Sequence, residues 1–307
     1  MSDLIITHVD LDGVCSAAMA KRYLKSDPFV VFASPRRLEA VLRRTREGHE
    51  RIVITDLSLN HDISEAVAAE VQRLASSGSK VTWVDHHSWN PDDVEKLSKL
   101  CELTVENSPS AASLFFRKYM NDDEVSKKIA EIGDDADTNT NALPNTLAYK
   151  YGTWELKNRL LLLDSFTRGE FEGDFIKKWQ EEVKLQEEDS ERLVSQLSPL
   201  TSNTGKKYAV IDVRGRKAQG TYAAKLAAQK LDLDFAAVIY SCRSISFYRG
   251  IRDVNLLPLA ERHGGGGHAY ACGASLRPSL YERILCFLSR RYKTKEMKRI
   301  IQELNSI

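Results

Sequence analysis

Short, continuously apolar runs alternate with segments of helical periodicity through the first half of the chain. The runs with the length and β-branched content of buried strands are 4–9, 29–34, 51–58 and 80–87. Strands that alternate with helices at this spacing indicate βαβ units and a parallel sheet. Because the runs are apolar throughout, both faces of the sheet should be covered. The pattern predicts a parallel-sheet α/β domain.

The pattern changes after about residue 155. Two helical segments, 155–166 and the long, heavily charged 174–198, are followed by a cluster of turn-forming residues. A second, shorter α/β pattern then continues toward the end of the chain. We therefore predict an N-terminal domain over 1–170, a connecting helix over 171–203 and a smaller α/β domain over 204–307.

Composition limits the class of protein. The 307 residues, 42% of them hydrophobic and 28% charged, are sufficient for two globular domains. Since 44 basic and 43 acidic side chains nearly cancel, net charge does not indicate a nucleic-acid-binding protein, although local patches can. The five cysteines are scattered without a CxxC pair, which favours free thiols in a reducing compartment. No apolar run approaches the roughly 20 residues of a membrane span and the first residues do not resemble a signal peptide, so we expect a cytoplasmic protein without membrane association.

Acidic residues and histidines follow three of the four predicted strands. They are, in chain order, His8, Asp10, Asp12, Asp56, Asp85, His86 and His87. The carboxyl ends of parallel strands meet at one edge of a sheet, so these side chains should converge. His8, Asp10 and Asp12 are two residues apart and would point to one side of an extended segment. A further acidic cluster could complete the set: Asp134, Asp135 and Asp137.

These residue types together favour a metal centre. Carboxylates packed closely repel one another unless a cation neutralises them. Mixed oxygen and nitrogen donors suit manganese, and zinc or iron less specifically. Carboxylates that bridge two ions are typical of two-metal sites for in-line displacement at phosphorus. A single aspartate at a strand end is more often a helix cap, but three such strand ends are hard to assign to caps.

The glycine-rich segment 261–274 is a second candidate site. A run of four glycines costs conformational entropy and is useful where backbone N–H groups approach an anion closely. The residues that we assign to phosphate or nucleotide contact are Gly265, Gly266, Gly267 and His268, with Arg249 and Arg252 upstream as forked hydrogen-bond donors. The alternative is a flexible turn, but a plain turn requires neither the histidine nor the arginines.

Five motifs in this order carry a family resemblance. "HVDLDGV", "ITDLS", "VDHH" and "EIGDDAD" resemble the four motifs of the DHH phosphoesterase superfamily. "GGGGHAYACGA" resembles the glycine-rich motif of the DHHA1 domain of RecJ-like nucleases and oligoribonucleases. The resemblance covers nearly the whole chain. It implies a DHH domain joined by a helix to a DHHA1 domain, with the active site in the cleft between them.

The resemblance also implies roles for individual residues. The ligands of one manganese ion would be His8, Asp10 and Asp56, and those of the other Asp12, Asp56, His86 and Asp137. Magnesium and cobalt are the expected substitutes, and Asp134 and Asp135 remain alternatives to Asp137. Asp85 would orient an imidazole, while His87 would contact the scissile phosphate or assist the leaving group. The glycine motif, His268 and an upstream arginine would hold the nucleotide end.

The predicted activity is that of a manganese-dependent phosphodiesterase or exonuclease. Water activated by two metal ions would hydrolyse single-stranded DNA or RNA, or short oligonucleotides. Because the chain ends soon after its glycine motif, it resembles the short forms of the family. Alternatives with the same chemistry are a phosphatase of 3′-phosphoadenosine 5′-phosphate and a phosphodiesterase of cyclic dinucleotides. A non-catalytic DHH interaction subunit is an alternative of another class, and homo-oligomer formation stays open.

Overall fold

The computed structural model describes residues 2–307, with the exception of the side chain of His268. It divides into two compact units, of which the first ends at Gln180 and the second begins at Glu181. The division falls inside a long helix, Asp174–Ser195, within the predicted connecting segment. The predicted domain limits at 170 and 204 stay predictions. Among the described residues, none of the helices combines the length and the apolar character that a bilayer crossing requires.

Unit 1 is built on a sheet of five parallel strands. They are β1 (Ser2–His8), β2 (Phe29–Ala33), β3 (His49–Thr55), β4 (Lys80–Asp85) and β5 (Glu102–Val105). Their order in the sheet is β2-β1-β3-β4-β5, and the predicted parallel-sheet α/β fold is confirmed. The fifth strand, β5, lies outside the predicted set because two of its four residues are polar, which leaves no continuous apolar run.

Helices cover both faces of this sheet. They are α1 (Leu11–Leu24), α2 (Leu38–Arg44), α3 (Ser64–Ser76), α4 (Pro91–Ser98), α5 (Ala111–Tyr119), α6 (Glu124–Asp137), α7 (Thr146–Gly152), α8 (Leu156–Thr167) and α9 (Asp174–Ser195), with single 3₁₀ turns at Pro35–Arg37 and His61–Ile63. Ile5 and Val53 pack with α1, α5 and α6 on one face. Ile6 and Ile54 pack with α2 and α3 on the other. Burial of both faces explains why the strands are apolar without alternation.

The connection from β1 to α1 differs from the prediction. Asp10 is the N-cap of α1 and accepts a hydrogen bond from the Gly13 amide (3.1 Å), while Asp12 lies in the first helical turn. The expectation of one extended segment that points His8, Asp10 and Asp12 to the same side is therefore wrong. Capping satisfies a helix N–H group that would otherwise lack a partner. Gly13 permits the tight connection, because a Cβ there would lie 2.3 Å from the carbonyl oxygen of His8.

Unit 2 is built on a mixed sheet of six strands. Its elements are β6 (Leu200–Thr201), β7 (Lys207–Asp212), α10 (Gly220–Leu231), β8 (Phe235–Ser241), β9 (Ser244–Arg249), α11 (Leu257–Arg262), β10 (Gly266–His268), β11 (Ala271–Ser275), α12 (Leu280–Leu288) and α13 (Lys295–Leu304). In the order β10-β11-β9-β8-β7-β6, β7 and β8 are parallel and the other neighbours are antiparallel. Helix α10 packs on one face, and α11 and α13 pack on the other.

We predict that Gly13→Ala destabilises the protein by about 1–3 kcal/mol, because the new methyl group has to displace the backbone of His8. Gly266→Ala is the matched control, since a Cβ at that position meets no heavy atom within 4 Å. Urea unfolding followed by far-ultraviolet circular dichroism measures both free energies. Equal stability of the two variants would contradict the close approach of β1 and α1.

Candidate metal centre

The carboxyl ends of the three central strands bring the predicted acidic and histidine residues together. β1, β3 and β4 are neighbours, with Thr7 beside Thr55 and Thr55 beside Val84 in the register. Three groups of side chains have potential ligand atoms within 4.8 Å of one another. They are His8, Asp10 and Asp56; Asp12, His86 and Asp137; and Asp56, His86 and His87. The first two groups contain the six predicted metal ligands.

Asp56 belongs to two of these groups and is buried, with 2% of its surface exposed. It follows β3 in the left-handed backbone region (φ +54°), which aspartate and asparagine tolerate better than most residues, and its amide donates to the carbonyl of Val84 (3.0 Å). Its Oδ1 lies 3.7 Å from His86 Nε2, and its Oδ2 lies 3.7 Å from His8 Nδ1. The two oxygens of one carboxylate thus face two different imidazoles.

His86 presents one ring nitrogen to the carboxylates. Its Nδ1 lies 3.1 Å from the carbonyl oxygen of Ser108, which can only accept, so Nδ1 donates this hydrogen bond and Nε2 is the nitrogen that faces the carboxylates. Nε2 lies 3.6–3.7 Å from oxygens of Asp12, Asp56 and Asp137. These distances are too long for hydrogen bonds. They would still allow the nitrogen and the oxygens to bind the same metal ion, at about 2 Å from each ligand atom.

Two buried atoms of the group lack a hydrogen-bond partner, Asp56 Oδ2 and His86 Nε2. Buried polar atoms are nearly always paired, and the unpaired exceptions point to a missing ion or water. A set of carboxylate oxygens and one imidazole nitrogen also suits a manganese-like divalent cation. The residues present therefore fit the divalent metal that the resemblance implies.

Asp12 is held by the start of α5. Its carboxylate accepts hydrogen bonds from the amides of Ala111 (2.7 Å) and Ala112 (2.9 Å). Burial, and next the charge of Asp10, nevertheless raise the pKa of Asp12 well above its usual value. The pKa of Asp56 is raised by burial and by the charges of Asp12 and Asp10. Both carboxyl groups therefore resist ionisation until a cation neutralises them.

His8 and Asp10 are bonded directly in the first group, with 2.7 Å between His8 Nδ1 and Asp10 Oδ2. Burial opposes the charged form of Asp10, but the hydrogen bond and charge of His8 lower the pKa of Asp10 to about 2. A cation at His8 Nδ1 would therefore have to replace the hydrogen bond to Asp10.

Asp134, Asp135 and Asp137 have different contacts, although all three lie in α6. Asp134 accepts from the hydroxyl groups of Ser110 (2.5 Å) and Ser113 (2.6 Å). Asp135 accepts from the amides of two residues of the 142–143 segment and from the hydroxyl of Thr146. Asp137 faces His86 instead. The contacts therefore favour Asp137 as the ligand, and the helical spacing alone could not separate the three.

Asp85 orients His87 rather than His86. It is fully buried and accepts hydrogen bonds from His87 Nδ1 (2.9 Å) and from Trp89 Nε1 (2.7 Å). The hydrogen bond from His87 to Asp85, opposed by burial, raises the pKa of His87. Trp89 lies two residues beyond the triplet, and nothing in the sequence pattern indicates this contact.

A cavity of about 600 Å³ opens beside the acidic group, and Asp10, Asp12 and Asp137 form part of its wall. Three lining residues absent from the sequence prediction are suited to a nucleotide: Lys150, Trp154 and Arg159. The indole of Trp154 is 62% exposed, and the Nε of Arg159 is buried without a hydrogen-bond partner. Lys150 and Arg159 stand in helices 13 and 22 residues after Asp137, too far along the chain for a motif to connect them.

The predicted substrate residues lie in unit 2. Arg249 forms an ion pair with Asp253 (2.8 Å), and Arg252 with Asp234 (3.1 Å) and Asp232 (3.2 Å), so carboxylates already occupy their donor groups. The side chain of His268 lies outside the described residues.

Two glycines of the run, Gly266 and Gly267, lie in the edge strand β10. A Cβ at Gly265 would lie 1.8 Å from the Gly273 carbonyl oxygen, and one at Gly267 (φ +133°) would lie 2.7 Å from that of Ala271. Strand pairing thus explains these two glycines. Gly266 borders open space, so its backbone remains accessible to a ligand.

Known proteins share these features. Residues 4–133 match the family described as the DHH family, N-terminal domain. Oligoribonuclease NrnB of Bacillus subtilis (strain 168) is 25% identical in an alignment that covers 91% of this chain and 74% of that protein. Among solved structures, the pGpG-specific phosphodiesterase PggH of Vibrio cholerae has a TM-score of 0.57 at 15% identity, with 98% of this chain and 99% of that chain covered. Exonuclease RecJ bound to manganese has a TM-score of 0.58 at 12% identity, with 95% and 91% covered.

Residues 4–133 carry a DHH domain, so the resemblance of the N-terminal motifs to the DHH superfamily is confirmed for this part of the chain. The likeness to the two solved structures shows that the fold is shared. The family match ends at residue 133, and the DHHA1 identity of unit 2 stays a prediction.

We predict that manganese raises the thermal stability of the protein, by about 2.7 kcal/mol at a hundredfold excess over Kd. Asp56→Asn should remove this increase, because it removes the charge shared by two ligand groups, while asparagine tolerates the left-handed backbone. Asp93→Asn is the matched control: Asp93 is also buried and contacts a histidine, His61, outside the centre. Thermal unfolding with manganese and with chelator measures the effect. An undiminished increase in Asp56→Asn would exclude Asp56 as a ligand.

A second pair of variants tests the assignment within α6. Asp137→Asn should weaken the response to manganese, because Asp137 is a predicted ligand of one of the two ions. It should not lower the metal-free stability, because partial burial already raises the pKa of Asp137. Asp135→Asn should cost about 1–3 kcal/mol, since it weakens bonds to two amides and a hydroxyl, but should keep the response. Thermal unfolding separates the two outcomes, and the reverse pattern would assign the ligand to Asp135.

Proposed function

We propose that this protein is a manganese-dependent phosphodiesterase that hydrolyses short single-stranded oligonucleotides. The observation that carries the proposal is the position of Asp56, whose two carboxylate oxygens face His8 and His86 separately. A carboxylate in this position suits a bridge between two cations. The six predicted ligands, His8, Asp10, Asp12, Asp56, His86 and Asp137, supply the two halves of such a centre.

Bound divalent ions would lower the pKa of a water molecule and offset the charge that develops at phosphorus. The protein supplies the arrangement around them. Asp85 fixes the imidazole of His87, and the raised pKa of His87 favours the protonated form, which donates to a phosphate oxygen or to the leaving oxygen. Lys150 and Arg159 add positive charge to the wall of the adjoining cavity.

The cavity beside the acidic group and the comparisons support an oligonucleotide as the substrate. The exposed indole of Trp154 in the cavity beside the acidic group offers a surface on which a base can stack. A curated relative over most of the chain is named an oligoribonuclease, and a structural relative is named a pGpG-specific phosphodiesterase. Gly266 on the open side of β10, with His268, is our candidate for holding the nucleotide end.

The test is hydrolysis of 5′- and 3′-labelled RNA and DNA oligomers of graded length. Manganese, magnesium and cobalt are compared as the added ion, and 3′-phosphoadenosine 5′-phosphate and a cyclic dinucleotide are included as substrates. We expect turnover of short oligomers with manganese, and a loss of about 100-fold or more in kcat for Asp56→Asn and for His87→Gln. Chelator should abolish turnover of the native chain.

Asp93→Asn and the native chain serve as controls for folding, which circular dichroism checks in each variant. If the phosphoadenosine compound or the cyclic dinucleotide is hydrolysed in preference, the proposed substrate is wrong and the proposed metal-dependent hydrolysis stands. Manganese binding without hydrolysis of any of these compounds would contradict the proposal and favour a non-catalytic interaction subunit.

A further inference from the structure

Unit 2 contains a cavity of about 850 Å³ that neither the metal centre nor the glycine strand accounts for. Its walls come from α9, from the segment 212–217 after β7 and from the segment 290–293 between α12 and α13. Seven of the lining residues are basic and three are acidic. Since the net charge of the whole chain is +1, this excess of cations is a local property.

Most of the acidic charge in the wall is already neutralised. Asp212 accepts two hydrogen bonds from Arg214 (2.8 and 2.6 Å), and Arg214 also donates to the carbonyl oxygen of Tyr292 (2.7 Å). Asp189 lies 3.7 Å from Arg216. Arg214 is almost wholly buried and ties the two wall segments together, so it shapes the cavity instead of binding a ligand.

Four exposed cations of the wall have no acidic partner within the described part of the chain. They are Arg192, Arg290, Arg291 and Lys293. For an exposed, unpaired cation, the loss of hydration costs little free energy when an anion takes the place of water. Several such cations close together favour an anion with several charges.

A second cavity of about 580 Å³ continues the first and shares Arg214, Gly215 and Arg290 with it. It adds two further arginines, Arg243 and Arg283, and two aromatic rings. Tyr240 is fixed by a hydrogen bond to the hydroxyl of Tyr248 (2.8 Å), and the ring of Phe287 is 88% exposed. Together the two cavities form an elongated basic groove with aromatic side chains at one end.

We propose that this basic groove binds the phosphate backbone of single-stranded nucleic acid along several nucleotides, with bases stacked on Phe287 and Tyr240. A charged groove that follows the backbone and aromatic rings that accept any base are the two elements of sequence-independent single-strand binding. The inference rests on the proposed function, because it assigns to the groove the part of an oligonucleotide that is not being cut.

The groove is separate from the glycine segment. It lies at the end of the sheet where β7 and β8 finish and β9 begins. Arg249 and the turn between β10 and β11 lie at the opposite end, because Arg249 is paired with Phe235 and Tyr248 with Ala271. The nucleotide contact predicted from the glycine motif therefore does not include this groove.

A protein interface is the main alternative role of this surface, because the apolar side of α12 is exposed. The exposed residues there are Leu280, Tyr281, Ile284 and Leu288. A second copy of the chain docked on α12 about a two-fold axis would bring equivalent arginines of the two copies close together. Like charges in an interface disfavour such docking. The unpaired arginines thus favour an anionic occupant over a second copy.

The test measures binding of a fluorescein-labelled octanucleotide by anisotropy, in an Asp56→Asn chain that should not hydrolyse it. We expect the additional changes Arg290→Gln, Arg291→Gln and Lys293→Gln to weaken binding about tenfold or more. The slope of log K against log salt should fall in magnitude by about 2, as three phosphate contacts of a single strand require. Phe287→Ala should weaken binding about fivefold or more.

The matched control changes Arg36, Arg44 and Arg46 to glutamine, which removes the same charge from exposed positions of unit 1. Affinity equal to that of the triple groove variant would overturn the proposal, and so would tripolyphosphate binding as tightly as the octanucleotide. A changed sedimentation coefficient of the groove variant with unchanged octanucleotide binding would identify a protein interface instead and overturn it as well.

The active chain separates this inference from the proposed function. In the groove variant, we expect the ratio of kcat/KM for an octanucleotide to that for a dinucleotide to fall about tenfold, since a dinucleotide lacks the additional phosphates. An unchanged ratio in a chain that hydrolyses both substrates would refute the groove alone. Octanucleotide binding that depends on the groove in a chain that hydrolyses neither would refute the phosphodiesterase alone.

Discussion

The candidate centre of unit 1 depends on one constraint: the buried carboxylates of Asp12 and Asp56, together with the more exposed carboxylate of Asp137, lie around one imidazole nitrogen of His86. Burial and mutual repulsion raise the pKa of Asp12 and of Asp56. The protein offsets part of this cost itself. The first amides of α5 donate to Asp12, and Asp10 is paired with His8. A divalent cation can offset the rest of this free-energy cost, because a buried unpaired charge is destabilising and a bound ion neutralises it.

The parallel sheet brings these carboxylates close together. A parallel sheet covered on both faces directs its strand ends to one edge, and residues at positions 8, 56 and 86 meet there although they are far apart in the sequence. The left-handed backbone of Asp56 belongs to the same edge. Strained backbone of this kind persists where the surrounding structure determines it strongly and is common at functional sites. Rigid strands therefore hold groups together that would separate in a looser scaffold.

Much of unit 1 could be predicted from the sequence, because its strands are continuous apolar runs and its chemistry lies at their ends. The periodicity could not determine the direction of individual side chains. The two-residue spacing predicts an extended segment that includes Asp12, but Asp12 lies in a helical turn that Asp10 caps. Asp134, Asp135 and Asp137 differ only in tertiary contacts, which no local pattern contains. Lys150 and Arg159 come from helices that meet the centre only in the folded chain.

Less of unit 2 than of unit 1 could be predicted from the sequence. Its strands are recognisable in the sequence, but the pattern predicts ligand contact for the glycine run and does not show that Gly266 and Gly267 lie in an edge strand. Two glycines of the run are explained by the close approach of a neighbouring strand, a reason that the sequence does not distinguish from contact with a ligand. The sequence does not reveal the basic groove either, because its arginines come from several separate segments and the total charge of the chain is almost neutral.

We propose that the crowded carboxylates form a two-metal centre with Asp56 between the ions. The most direct measurement is a crystal structure with manganese, in which anomalous scattering locates the ions. We expect one peak among His8, Asp10 and Asp56 and a second among Asp12, Asp56, His86 and Asp137. Manganese peaks elsewhere, with Asp56 Oδ2 and His86 Nε2 left without an ion, would contradict this assignment.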